Sequence, residues 1–175
     1  MNMSLPVTNL RGYVANEFSA LRMRALRNTL WARLTGKDAK LARFPEGTFQ
    51  KGPNRKMIGV KDIPVEAIIG TLYRHSDFDH QFRPLKQNLK DRWINIYLLR
   101  DKEDWPPIFV HQVGEYFYVE DGHHRVSVAR ALGITFIEAK VWEYPDPNAS
   151  KQTKQCEDTK CVETSSVRDY AVIAE

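Results

Sequence analysis

Asp121, His123, His124 and Arg125 surround Gly122, where the apolar run 116–120 gives way to a helical pattern that stops at Gly133. A strand, a tight turn and a helix in that order leave polar groups on the helix N-terminus. Its free N–H groups and the positive end of its dipole make a ready anion site. Two imidazoles and a guanidinium add side-chain donors. Gly122, His123, His124 and Arg125 are therefore a candidate phosphate pocket. Asp121 either caps the following helix or serves as a base or magnesium ligand beside a bound phosphate. His124 is the candidate proton acceptor, since a helix N-terminus lowers an imidazole pKa and favours its neutral form. Adjacent histidines are not expected to face one core together, so at least one should lie in the cleft. Arg125 is suited to a bidentate phosphate grip, or to a surface salt bridge with Glu120 or Glu138. Ser127 and Arg130 follow on the same helix as candidate supporting residues.

A second polar group, His75, Asp77, Asp79 and His80, stands just before a helical pattern. Asp-x-Asp between two histidines could ligate a divalent metal or supply a second acid; the alternative is ordinary caps and turn residues. A third feature is basic. Arg22, Arg24, Arg27 and Arg33 flank the stripe Met23, Leu26, Leu30 and Leu34, which repeats at helical spacing. The stripe is expected to dock on the core. The arginines then face solvent, either as a solvated surface or as a nucleic-acid or acidic-partner surface.

The elements that must position these residues follow from periodicity. Asn16 is a plausible cap for a helix to about Leu34, with Gly36 beyond it. Residues 36–56 read as a basic loop. The stretch 58–69 alternates as a strand or strand-turn, 71–84 is irregular, and Leu85, Leu89, Trp93 and Ile96 mark a helix to about Leu99. Segments 108–112 and 116–120 form a hairpin about a turn at 113–115. The helix from His123 ends at Gly133, and 134–144 is a last strand. The order β-α-β-β-α-β implies an α+β fold around a small mixed sheet.

At 175 residues there is room for one true core. The net charge of +4 is uneven: residues 11–56 hold eleven Lys/Arg against three Asp/Glu, residues 57–143 eleven against thirteen. The basic character thus belongs to an N-terminal extension, 1–56, ahead of a domain at 57–144 and a polar tail at 145–175, expected to be mobile and to offer at most a short docking element at 170–173. No long apolar run marks a membrane span and no secretory signal opens the chain, so the expectation is a cytoplasmic protein. Cys156 and Cys161 do not complete a four-ligand zinc site.

The segment YFYVEDGHHRVSVARALGI resembles the second signature of the ParB/sulfiredoxin superfamily. IGVKDIPVEAIIG at 58–70 is similar to that superfamily's opening strand, the stretch from about Phe82 to its next helix, and PPIFVHQ at 106–112 to the strand paired with 116–120. The resemblance spans roughly 57–143 and implies a stand-alone ParB-like (nuclease-like) domain on a ParB/sulfiredoxin-like fold. Sulfiredoxins carry a cysteine where His123 stands, so sulfinic-acid repair is not implied. The partitioning ParB proteins carry Gly-Glu-Arg-Arg, of which Gly122 and Arg125 are kept, and they continue into a helix-turn-helix domain for which 145–175 offers no pattern. The wording DGHHR is nearest the free serine kinase branch, which implies Asp121 and His124 acting together, with Asp77 and Asp79 standing where that branch has a Glu. The expectation is a nucleotide-binding domain taking a nucleoside di- or triphosphate with magnesium, as a phosphotransferase or nucleotide hydrolase. The alternatives are a nucleic-acid-binding or nuclease-like protein, and a non-catalytic nucleotide-gated module with a protein partner or a second copy.

Overall fold

The computed structural model describes residues 7–36, 39–45, 55–100 and 105–144. The expectations for residues 37–38 and 46–54 of the basic loop and for the 145–175 tail with both cysteines lie outside them. Helix α1 (Val7–Thr35) leads, followed by strands β1 (Ala42–Arg43), β2 (Lys56–Pro64) and β3 (Ile68–Thr71), helix α2 (Lys90–Leu99), the hairpin β4 (Ile108–Val113) and β5 (Tyr116–Asp121), helix α3 (His123–Leu132) and strand β6 (Phe136–Tyr144). The six strands form one mixed sheet in the order β1-β3-β5-β4-β6-β2. The expected α+β class with a small mixed sheet is what the chain adopts.

Alternation along the strands sorts the two faces. Ile108 and Val110 of β4, Val119 of β5 and Ala139 and Val141 of β6 are fully buried in one core with Trp93 of α2 and Val126 and Ala129 of α3. Their neighbours on the opposite face, Tyr118, Trp142 and Tyr144, join Phe44 and Leu72 in a separate aromatic cluster.

Several expectations are corrected or narrowed. Helix α1 begins at Val7, ahead of Asn16, and its docking face is not the Met23–Leu34 stripe. Val14, Phe18 and Ala25 are fully buried, with Phe18 edge-on to Trp93 at 5.7 Å, whereas Met23, Leu30 and Leu34 are 56, 60 and 74% exposed. Both stripes have helical spacing, but the one that docks carries the aromatic ring and the small residues that let α1 approach α2. The basic segment is therefore built into the core. Second, 58–69 takes the strand-turn alternative, extended by a further strand. Pro64 ends β2 at one edge of the sheet, a 3₁₀ turn over Val65–Ala67 follows, and β3 then runs in the same direction as β2 near the other edge. Third, Ala42–Arg43, expected in a loop, pairs parallel to β3 as an edge strand, and Lys56 opens β2. Gly70 makes that pairing possible, since a Cβ there would lie 2.4 Å from the Ala42 carbonyl oxygen. Helix α2 starts at Lys90 behind a 3₁₀ turn over Gln87–Leu89, well after Phe82.

Among the described residues no helix is long and apolar enough to cross a membrane.

Candidate functional site

Strands β3 and β5 are parallel neighbours, with Thr71 opposite Val119. Their C-terminal ends therefore leave the sheet at one edge, the usual place for a site between parallel strands. The loop after β3 and the turn after β5 meet there. Gly122 makes the turn at φ 105°, where a Cβ would lie 2.4 Å from Ile108 Cγ2. A side chain is excluded by conformation and by space, so α3 can start hard against β4. The Gly122 carbonyl accepts the first helical bond from Val126 N at 3.0 Å.

Asp121 does not cap the helix. No side chain bonds to the α3 N-terminus, and the exposed Asp121 carboxylate accepts a bond from Arg125 Nη2 at 2.8 Å. Arg125 also donates through Nη1 to the Pro106 carbonyl and, at 3.1 Å, to that of Pro107. Its partners are thus Asp121 and the lead-in to β4, in place of Glu120 or Glu138. The guanidinium clamps the rim of the turn, and burial lowers its pKa against the raising effect of Asp121.

Both histidines are buried, at 3 and 6% exposure, although both line the cleft at this turn, as expected of at least one. The first helical turn is covered by Phe78, whose ring stacks on His123 at 6.2 Å and meets His124 edge-on at 5.6 Å. Thr71 Oγ1 accepts the N–H groups of Tyr73 at 3.2 Å and Arg74 at 3.1 Å. Its hydroxyl proton is left for His123 Nε2, 2.6 Å away. His123 is thereby fixed as an acceptor at Nε2, which places its proton on Nδ1. His124 differs: its Nε2 is buried and has no hydrogen-bond partner among the described residues. Burial holds the pKa of each imidazole down at about 4. For His123, Arg74 and then His124 add to that effect; for His124, Arg92 and then Arg74 do. Both rings are neutral at pH 7.

His124 borders a small cleft of about 40 Å³ that Arg74, Arg92, Asp121, Gly122 and Arg125 also line. Arg74 and Arg92 were not legible as site residues. Arg92 makes no hydrogen bond or ion pair among the described residues, and Arg74 reaches Asp77 only at 3.4 Å. Three guanidiniums, one carboxylate and a helix N-terminus make this cleft strongly receptive to an anion.

The second cluster does not converge. Asp79 is fully buried and saturated: Oδ1 accepts Gln81 N and Arg83 N at 3.0 and 2.9 Å, and Oδ2 accepts Arg83 Nε at 2.8 Å. Asp77 pairs with Lys86 Nζ at 2.6 Å, His75 Nε2 lies 2.9 Å from Arg43 Nη2, and His80 is exposed. Among the described residues no three His, Cys, Asp or Glu side chains gather to hold a metal ion. A cationic cleft is a poor cage for magnesium, so the residues present do not fit a protein-held ion. Of the supporting residues, Ser127 Oγ accepts Trp93 Nε1 at 3.0 Å, and Arg130 braces backbone carbonyls. The four α1 arginines do not form one surface: Arg22 Nε is bound to the Leu85 carbonyl at 3.1 Å, and the others divide between two flanks of the helix. A buried histidine outside every expectation, His111, sits on the opposite sheet face, 2.7 Å from Glu120 Oε2 and 3.1 Å from the Tyr144 hydroxyl.

No protein-family model and no curated protein matches the chain. Among solved structures it is similar to the crystal structure of sulfiredoxin from Arabidopsis thaliana, at 23% identity and a TM-score of 0.36, over 55% of this chain and 93% of that one. A likeness of that size assigns neither family nor activity, and the chemistry has to be read from the site's own residues.

Proposed function

We propose that the chain is a phosphate-binding domain of ParB/sulfiredoxin type whose ligand is a nucleotide, with its terminal phosphate seated at the Gly122–Arg125 turn. One observation supports this most: His124, whose buried Nε2 has no hydrogen-bond partner among the described residues, lines a cleft ringed by Arg74, Arg92 and Arg125. A buried polar atom without a partner costs about 1–3 kcal/mol, and a phosphate oxygen carrying a proton, or a substrate hydroxyl, offsets that cost. The neutral ring is an acceptor suited to that role. The cleft takes one phosphate group, so sugar and base lie outside it, towards Arg92. In a phosphotransferase or hydrolase, His124 accepts the proton of the attacking hydroxyl or water, and Arg74 and Arg92 stabilise the charge on the transferred group.

The test is calorimetric titration with pyrophosphate, for the wild type and Arg92→Ala. Arg92 is exposed and unpartnered, so its loss leaves the fold alone; affinity should fall about tenfold, as for one charge-assisted bond. Equal affinities would remove the cleft from the binding site.

A non-catalytic, partner-binding reading is favoured by one different observation, the exposed Met23–Leu34 stripe. It proposes a protein partner or second copy on that face, and Leu30→Glu should abolish any concentration-dependent association. The nucleic-acid reading, resting on Arg22, Arg24, Arg27 and Arg33, predicts binding that falls steeply with salt.

A further inference from the structure

A second cavity, sharing no lining residue with the phosphate cleft, opens beside the C-terminal half of α3. It measures about 590 Å³, well inside the range of roughly 300–1,000 Å³ typical of small-molecule sites. Leu21 of α1, Val65 and Ile134 supply apolar wall; Arg24, Arg83 and Arg130 supply charge, against one acid, Glu66, among the described lining residues.

Two of these cations are held rigid from behind. Arg130 Nη2 donates to the carbonyls of Ile68 and Val65 at 2.6 and 3.2 Å, and its guanidinium lies 5.0 Å from the Phe82 ring centroid. Arg83 is anchored by the buried Asp79, with Nη2 2.7 Å from Oδ2. That ion pair does not satisfy the group: Arg83 Nη2 is buried and forms no hydrogen bond. The third cation, Arg24, is exposed on α1 and makes no hydrogen bond or ion pair among the described residues. Folding has thus placed guanidiniums with unused donors along a partly apolar groove, two of them with their side-chain freedom already lost. Such preorganisation is what an anion site requires. A structural role explains Arg130, which ties β3 to the loop at 80–83. It does not explain Arg24, nor Arg83 Nη2, which makes no hydrogen bond beside its ion pair among the described residues.

We propose that this groove is a second binding site, for a small amphiphilic anion: a carboxylate or phosphate head at the three arginines, on an apolar body lying along Leu21, Val65 and Ile134. It is independent of the phosphate cleft, and either can fail without the other.

The experiment titrates the full chain, isotopically labelled, with 4-phenylbutyrate, phenyl phosphate and the neutral 4-phenyl-1-butanol, following backbone amide shifts. The expected result is saturable shifts at Glu66, Ala131 and Gly133 with one or both anions, and not with the alcohol; which anion binds tighter names the head group. Arg24→Ala should weaken binding about tenfold. Ala131→Leu, at an exposed position lining the groove, should abolish it by filling the space, with no effect on pyrophosphate binding. The proposal is overturned if the alcohol shifts the same amides as strongly, if neither anion shifts them, if the shifts centre on Gly122–Arg125, or if both variants bind as the wild type does.

Discussion

Lowering the pH from 7 to 5 should destabilise the protein through His123 and His124. Burial, reinforced by the arginines, holds both imidazoles at about 4 against an ordinary 6.5. The unfolded chain therefore binds more protons than the folded one between about pH 4 and pH 6.5. Stability is complete above that window and falls as pH falls through it. For one group with those two values the loss between pH 7 and pH 5 is about 2 kcal/mol, and about 4 kcal/mol for two independent groups. His124 borders the cleft, where solvent screening trims its share, so the expected loss is about 2–4 kcal/mol. The assay is urea unfolding at pH 7, 6 and 5 at fixed ionic strength, for the wild type and His124→Gln. The variant should show roughly half the wild-type slope. A wild-type stability constant to within about 0.5 kcal/mol between pH 7 and pH 5, or an unchanged slope in the variant, would refute the neutral buried pair.

Further expectations concern packing. Gly122→Ala should cost about 2–5 kcal/mol, from the positive φ and the collision with Ile108, and should lower the melting temperature and pyrophosphate affinity together. Asp79→Ala strands the Arg83 guanidinium and should cost about 3–5 kcal/mol in chemical denaturation. Phe18→Ala should cost about 3–5 kcal/mol while Leu34→Ala stays within about 0.5 kcal/mol; the reverse order would contradict the docking face of α1.

The parts of this fold written in local chemistry could be read directly. Gly133 ends α3 in the left-handed conformation expected of a C-terminal glycine, the 108–121 hairpin lies where alternation put it, and the turn at Gly122 is where an acid–glycine pair interrupts an apolar run. What escaped depends on contacts distant in sequence. β1 is two residues long and exists because Gly70 admits it. The face of α1 was misread because two apolar stripes share one helix and only tertiary packing chooses between them. The burial of both histidines required Phe78, about 45 residues upstream, to close over the helix start. Arg74 and Arg92 carried no motif, one in an irregular loop and the other on the polar side of α2, yet they complete the cleft. Asp77 and Asp79 looked like ligands because spacing does not reveal that lysine and arginine already occupy their oxygens.

The central claim is that the Gly122–Arg125 cleft binds the phosphate of a nucleotide. The most direct test is the melting temperature of the protein with ATP, ADP, CTP and GTP, each with and without magnesium, repeated for Arg92→Ala. At a hundredfold excess over Kd, binding to the folded state adds about 2.7 kcal/mol, a rise of roughly 5–11 °C for a chain of this size. The account predicts such a rise with at least one nucleotide and its fall to about half in Arg92→Ala, as a tenfold weaker affinity requires. No rise with any nucleotide, or the same rise in the variant, would contradict it.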